Sequence, residues 1–262
     1  MTRSVVLILI FMVSMTKLNI CLAQENINKE LFLVSVSYIP NSQEIDGILA
    51  TCNQSNEKCL TNWIFNEDRF KLNIYSWLID DYLESVTEGE IMNGIVDSEQ
   101  IVYGSRNMDI YERVQLDYER WKALKSAKQD LISKKLAYQD LIILMLNNPR
   151  FDEINMGSDN FVNRTFYLLL NRYPTEYERL NGVKMVEGQS GILFFKGGQG
   201  KIDYLDLLVS NDSYVEYQLK YWYEKLTLKE MSTNQLSVYL NELDCYSLDC
   251  ILKLIILTNS IK

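Results

Sequence analysis

Apolar residues recur at intervals of three and four along most of this chain. The series Phe70, Ile74, Trp77, Leu78 and Tyr82 is typical, and it places one apolar stripe along a helix of about 15 residues. The same spacing predicts helices over 109–125, 136–146, 161–171, 212–226 and 232–243. The chain contains only three prolines and eleven glycines, too few for many short turns. We therefore predict the all-α class, as an irregular multi-helix bundle.

Three helix starts carry the capping-box spacing, in which a hydroxyl and a side chain three residues later cap each other's backbone amides. Thr87 precedes a predicted short helix through Ile95, Thr175 follows Pro174, and Ser232 precedes the helix ending at Leu243.

Two segments do not follow the helical pattern. Phe32, Val34, Val36 and Tyr38 alternate with other residues, which suits either a short N-terminal strand or the end of a helix begun at Asn26. The glycine-rich segment 191–200 lacks the lysine and hydroxyl residue of a phosphate-binding loop. We interpret it as a flexible turn.

The N-terminus predicts export. A short basic start is followed by an apolar stretch from Val5 to Val13, which is too short to span a bilayer and suits a signal peptide of residues 1–23. Lipidation of Cys21 is the alternative, although Ile20 is larger than a lipidation motif prefers. The remaining chain divides into an N-terminal segment, 24–69, and a helical domain, 70–262. We expect no transmembrane anchor after cleavage, and a periplasmic, surface or secreted location.

Charge and cysteine spacing refine this interpretation. A net charge of −9 disfavours binding to nucleic acid or anionic lipid. Apart from Cys21, the cysteines form two close pairs, Cys52 with Cys59 and Cys245 with Cys250. In an oxidising compartment each pair can close a local disulfide loop, although four cysteines allow three connectivities. Without histidine, neither spacing fits a metal or haem site, so we expect no metal and no cofactor.

Segments between Leu136 and Tyr217 resemble a known family. Asn148-Pro149-Arg150-Phe151, Phe161-Val162-Asn163-Arg164, Leu169-Leu170-Asn171-Arg172-Tyr173-Pro174 and Ser210-Asn211-Asp212-Ser213-Tyr214 are similar to the phycobilisome linker-like helical domain and to a related uncharacterised repeat of exported bacterial proteins. Asn171 stands where the family usually has glycine, an exchange that left-handed backbone tolerates.

The resemblance implies a helical module that binds or scaffolds proteins. It covers residues 136–217, or 70–217 if the earlier helices belong to the same domain. An exported acidic chain does not suit a role in pigment-protein rods, so no pigment-binding residue is carried over. Asn171, Arg172 and Pro174 are interpreted as a structural turn, with Arg172 binding carbonyl groups at a helix end.

Candidate chemistry is limited. The absence of histidine removes the usual general base. Carboxylate groups such as Asp80, Asp81 and Glu84, or Glu176 and Glu178, are the candidates for a glycan hydrolase, which needs two carboxyl groups across a cleft. They lie at helix starts or on charged faces, so we predict no catalytic residue.

Aromatic residues are the stronger signal. Tyr214, Tyr217 and Tyr221 share one face of a predicted helix and are candidates for a partner-binding surface, although core packing is the more common role of such a stripe. The sequence thus predicts an exported, non-enzymatic interaction or scaffolding protein that binds another protein. A small envelope hydrolase is the alternative.

Overall fold

A computed structural model of the protein describes residues 29–37, 41–50, 56–104 and 108–259. The predicted signal peptide, Cys21 and Cys52 lie outside the described residues. In the described part, no helix is both long enough and apolar enough to cross a membrane.

The described residues form 14 helices and one two-stranded sheet, which confirms the all-α class. The first seven helices are α1 (Lys29–Val36), α2 (Ser42–Ala50), α3 (Asn56–Asn66), α4 (Asp68–Leu83), α5 (Glu88–Gly104), α6 (Met108–Ile132) and α7 (Tyr138–Leu146). After them come α8 (Pro149–Ile154), α9 (Ser158–Leu170), α10 (Glu176–Val186), β1 (Ser190–Leu193), β2 (Lys196–Gln199), α11 (Gly200–Val209), α12 (Asp212–Thr227), α13 (Thr233–Glu242) and α14 (Leu248–Asn259).

Helix α12 lies at the centre of the bundle. It packs against α1, α9, α13 and α14, and Trp222 and Leu219 are fully buried there. The indole N–H of Trp222 donates to Gln218 Oε1 at 3.0 Å, so the largest core residue carries its own hydrogen-bond partner one turn away. One continuous core joins α12 to α4, α7 and α9.

Side-chain caps fix the helix starts that the sequence predicts. The capping boxes at Thr175 with Glu178 and at Ser232 with Gln235 are both formed. Thr87 and Glu90 exchange the same pair of hydrogen bonds, but the helix they begin continues to Gly104 rather than Ile95. Because a cap marks only a start, it does not limit the length of the helix.

Helix α7 is capped from a distant part of the chain. Ala137, at its N-cap, offers no side-chain hydrogen bond, and Asp249 of α14 supplies the missing acceptor by binding the backbone N–H of Gln139. Gln139 in turn accepts from the backbone N–H of Leu248 at 3.0 Å. This exchange ties α7 to α14, and Cys245 and Cys250 form a disulfide just before and inside α14. The predicted Cys245–Cys250 loop is confirmed, whereas the Cys52–Cys59 pairing stays a prediction.

The two segments of uncertain pattern are resolved differently. The stretch that alternates between Phe32 and Tyr38 belongs to helix α1 as far as Val36. Interpreting 191–200 as a flexible turn was wrong, because β1 and β2 pair antiparallel through this segment. Gly191 allows the pairing to lie against α10: a Cβ atom there would be 2.7 Å from the carbonyl oxygen of Asn181. A Cβ atom on Gly198 would likewise lie 2.9 Å from that of Asp203, so Gly191 and Gly198 serve close packing.

The turn between β1 and β2 is formed by Phe194 and Phe195. Both residues have left-handed backbone, with φ of 51° and 65°, a conformation for which two-residue hairpins favour asparagine and glycine. Phe194 lies 6.1 Å from the ring of Phe166, whereas Phe195 is fully exposed. The Phe195 side chain thus gains no burial to offset its backbone strain.

Phe195→Gly is expected to stabilise the protein by about 0.5–1 kcal/mol. Removal of the Cβ atom relieves the left-handed strain, which costs about 1–2 kcal/mol, and part of that gain is lost to the greater freedom of glycine in the unfolded chain. Urea denaturation measures the change. Phe195→Ala keeps the Cβ atom and should leave stability unchanged; an equal gain in both variants would contradict the strain explanation.

A second glycine, Gly94, allows α5 and α6 to pack closely. A Cβ atom on Gly94 would clash with the ring of Trp121, which is buried between the two helices. Glycine is needed because the indole lies directly against the backbone of α5.

Gly94→Ala is expected to destabilise the protein by about 1–2 kcal/mol. A clash with a buried ring belongs to the upper part of the overpacking range, about 2–3 kcal/mol, and the better helix propensity of alanine returns about 1 kcal/mol. Thermal unfolding followed by circular dichroism measures the loss. Gly89→Ala, on the same helix, is the matched control and should be neutral or stabilising, because the added Cβ atom would make only an ordinary contact of 3.8 Å with Thr87 Oγ1. Equal destabilisation by both would contradict the packing explanation.

Candidate functional site

The aromatic face of α12 meets a matching face of α4 at the protein surface. On α12, Tyr217, Tyr221 and Lys225 follow one another at four-residue intervals, and on α4, Trp77 and Asp81 do the same. Residues at that spacing lie on one side of a helix. Together with Trp222 they form what we call the Tyr217–Tyr221 cluster.

A carboxylate and an ammonium group hold the cluster together. The Tyr221 hydroxyl donates to Asp81 Oδ2, and Lys225 Nζ binds the same oxygen at 3.0 Å. Lys225 also donates to the Tyr221 hydroxyl oxygen. The side chains of Asp81 and Lys225 are 33% and 23% exposed, so the pair is shielded from water but still reachable. Each group orients the other two, which gives the cluster one defined shape.

Aromatic rings in tilted and edge-to-face contact surround the Asp81–Lys225 pair. The ring centroids of Tyr217 and Tyr221 are 5.9 Å apart, and those of Tyr221 and Trp222 are 5.2 Å apart, edge to face. Trp77 lies 6.1 Å from Trp222, and Lys225 Nζ is 5.4 Å from the Trp77 ring. Edge-to-face rings and a cation over an aromatic face are both favourable arrangements.

Burial controls the acidity of the cluster. Desolvation is the largest cause that raises the pKa of Tyr221, and the hydrogen bond to Asp81 raises it further. Burial also raises the pKa of Tyr217, with smaller contributions from Tyr167 and Asp81. Both hydroxyls therefore stay protonated at neutral pH and act as neutral hydrogen-bonding groups at the surface.

The aromatic surface continues onto α9. Tyr167 lies close enough to Tyr217 to influence its ionisation, and its ring centroid is 6.1 Å from that of Tyr173. Tyr167 is 45% exposed and Tyr173 is 71% exposed. Rings at the surface thus extend from Trp77 to the turn that follows α9.

Tyr214 does not belong to this surface, contrary to the prediction. Its side chain is fully buried, and its hydroxyl has no hydrogen-bond partner among the described residues. Burial raises the pKa of Tyr82 well above its usual value, and Tyr214 contributes to that shift, so the two side chains lie close together in the core. Tyr217 and Tyr221 remain half-buried at the surface.

The predicted structural turn after α9 is built around one ion pair. Asn171 ends the helix with left-handed backbone, φ 51° and ψ 35°. Arg172 binds both carboxylate oxygens of Glu178, at 2.8 and 2.6 Å, and donates to the carbonyl oxygen of Tyr173. The pKa of the Glu178 carboxyl is lowered because hydrogen bonds from Arg172 and Thr175 outweigh the opposing effect of burial. Arg172 therefore holds the start of α10 in place.

The predicted carboxylate candidates do not face each other across a cleft. Asp81 is bound to Tyr221 and Lys225, while Asp80 accepts from Ser85 at 2.8 Å. The hydrogen bond from Arg179 lowers the pKa of Glu176. A glycosidase needs one carboxyl group with a raised pKa, the reverse of the direction at Glu176 and Glu178. In the described part of the chain, no group of three or more acidic or cysteine side chains is arranged to hold a metal ion.

Two cavities border α14 and share Lys253 in their linings. The larger, about 380 Å³, is lined by Glu242 and Asp244 together with Lys58 and Lys253. All four side chains are exposed, whereas a general acid of a glycosidase lies in apolar surroundings. The smaller, about 260 Å³, lies beside Tyr138 and Asp249. Neither cavity reaches the Tyr217–Tyr221 cluster.

No family model, no curated protein and no solved structure matches this chain. The resemblance to the phycobilisome linker-like domain therefore stays a prediction from the quoted residues. The geometry of the cluster is the basis for any functional conclusion.

Sequence reasoning missed Trp77, Asp81 and Lys225 as members of the cluster. The signal was present in the equal four-residue spacing of Trp77 with Asp81 and of Tyr221 with Lys225. What was missing was the contact between the two helices, which lie about 140 residues apart in sequence.

Asp81→Asn is expected to lower stability at neutral pH by about 1 kcal/mol, the usual net value of one such hydrogen bond, and to lower the pKa of Tyr221. The folded-state pKa of Tyr221 is above the unfolded value of about 10, so its contribution is fully present below pH 10 and is lost as the pH rises further. The difference in free energy of unfolding between the unchanged protein and Asp81→Asn should therefore become smaller above pH 10.

Nuclear magnetic resonance of ring-labelled tyrosine follows the ionisation, and urea denaturation follows the stability. Glu84→Gln, an exposed change at the end of the same helix, is the control. An equal shift of the Tyr221 pKa in both variants would show a general charge effect instead of the direct hydrogen bond.

Proposed function

We propose that this chain is an exported, non-enzymatic helical protein of the cell envelope that binds a protein partner through the Tyr217–Tyr221 cluster. The observation that carries this proposal is a surface group of three half-buried rings, Tyr217, Tyr221 and Trp77, which packs on the buried Trp222 and is fixed in shape by the Asp81–Lys225 pair. Tryptophan and tyrosine dominate the binding energy of protein interfaces.

The electrostatics support the same proposal. The protonated Tyr217 hydroxyl can donate to a partner or accept from it, while the rings offer apolar area with few rotatable bonds. Because the cluster is already ordered, a partner need not freeze these side chains on binding. Such a surface suits recognition better than proton transfer, which needs a group that titrates near neutral pH.

The alternative of a glycan hydrolase receives less support. Glu176 and Glu178 are paired with arginines that hold them ionised, and Asp81 is occupied by Tyr221 and Lys225. We therefore assign no catalytic residue and no cofactor. The predicted export stands on the N-terminal sequence, and the scaffolding role on the resemblance described above.

A pull-down from envelope and medium fractions tests the proposal, with residues 24–262 as bait. Tyr217→Ala with Tyr221→Ala is expected to lose the partner by at least tenfold, because truncation of interface hot spots costs about 2 kcal/mol or more. Purified partner and isothermal calorimetry give the affinity, and circular dichroism confirms that each variant remains folded.

The matched control is Tyr177→Ala with Tyr246→Ala, two tyrosines that are exposed away from the cluster. It should bind the partner as the unchanged protein does. Equal loss in both double variants would contradict a role for the cluster. Retention on cell-wall glycan without any protein partner would instead favour the hydrolase and direct mutagenesis to the carboxylates.

A further inference from the structure

Helices α5 and α6 form a hairpin that carries a second, chemically different surface. Of the nineteen large hydrophobic side chains exposed in the described residues, eight lie between Met92 and Leu116. From Met108 to Arg120 no side chain that the structure describes is buried, and Trp121 is the first buried residue of α6. The far end of the hairpin therefore contributes little to the core.

Three of the four exposed apolar residues of α5 form a stripe. Met92, Val96 and Tyr103 are separated by four and seven residues, which places them along one side of the helix. They are 39%, 40% and 83% exposed, respectively. From the first to the last the stripe spans about 16 Å, the length of three helical turns. Near the same end, α6 adds Met108 and Tyr111, both exposed.

Carboxylates predominate around this stripe. Helix α5 contains Glu88, Glu90, Asp97 and Glu99 and neither lysine nor arginine. At the start of α6, Glu112 and Asp117 outnumber Arg113. An apolar stripe bordered by carboxylates is complementary to a partner that carries an apolar stripe bordered by cations.

We propose that the α5–α6 hairpin is a docking surface for an amphipathic helix of a protein partner, with leucine-like residues on one side and lysine or arginine beside them. A helix that lays its apolar side against an apolar surface is a common mode of peptide recognition. A second copy of this chain would bring carboxylates against carboxylates, and anionic lipid would be repelled in the same way.

This inference does not rest on the Tyr217–Tyr221 cluster. The two surfaces lie on different helices and differ in chemistry. The cluster offers aromatic rings ordered by an ion pair, whereas the hairpin offers an apolar stripe bordered by carboxylates. A chain with both can hold two partners at once, the property that a scaffolding protein requires.

Fluorescence anisotropy with a labelled peptide tests the hairpin. The probe is a synthetic helical peptide of about 14 residues, leucine on one side and lysine on the other, with glutamate replacing every lysine in the control peptide. The basic peptide is expected to bind the unchanged protein in the micromolar range and to weaken with added salt. The acidic peptide should not bind.

Val96→Gln with Tyr103→Gln replaces two of the three stripe residues by glutamine, which is polar and favours helix. We expect this variant to bind the basic peptide at least tenfold more weakly. Val238→Gln with Tyr177→Gln makes the same replacements at exposed positions elsewhere and should bind normally. Tyr217→Ala with Tyr221→Ala should also bind the peptide normally, so failure of this inference and failure of the proposed function are separable.

Three results would overturn the inference. Equal weakening in both glutamine variants would show nonspecific attraction to an acidic protein. Self-association that disappears with Val96→Gln and Tyr103→Gln would assign the stripe to a second copy. Binding to vesicles of phosphatidylcholine and phosphatidylglycerol, lost in the same variant, would assign it to lipid.

Discussion

The burial of Trp222 at the centre of α12 is the constraint on which the rest of the structure depends. Its ring is fully buried, and Gln218 satisfies its only donor from within the same helix. Because no neighbouring helix has to supply that hydrogen bond, α1, α9, α13 and α14 can pack against α12 with apolar side chains. The same helix then carries Tyr217, Tyr221 and Lys225 to the surface, so the orientation of the cluster follows from the packing of the core.

The charge pair at the surface depends on that orientation as well. Asp81 reaches Tyr221 because Trp77, one turn earlier on α4, packs against Trp222. A partly exposed ion pair alone contributes little to stability. Here its main effect is geometric, since it selects one arrangement of the rings. The contact between α4 and α12 therefore forms part of the core on its buried side and the cluster on its exposed side.

Much of the fold could be predicted from the sequence because its signals are local. Helical periodicity located most of the helices, and the capping boxes at Thr175 and Ser232 marked two starts correctly. Failures occurred where distant residues decide the outcome. The segment 191–200 pairs as a hairpin that packs against α10 at Gly191, and α7 has an alanine at its N-cap because Asp249 of α14 supplies the missing acceptor.

Helix periodicity also could not separate Tyr214 from Tyr217 and Tyr221. The spacing places the three on one side of α12, but it does not say how far along the helix the neighbouring side chains extend. Tyr82 lies beside Tyr214 in the core, while the end nearer Tyr221 reaches the surface. The candidate site could therefore be predicted as a helix face, but its members from α4 required the tertiary contact.

The α5–α6 hairpin has an energetic consequence of its own. The first half of α6 contributes no buried side chain that the structure describes, so that end of the hairpin is held less firmly than the helices around Trp222. Regions with little buried apolar area open at a free energy below that of global unfolding. The chain thus combines a packed body with an arm of lower local stability, and a helix bound to that arm would raise the free energy needed to open it.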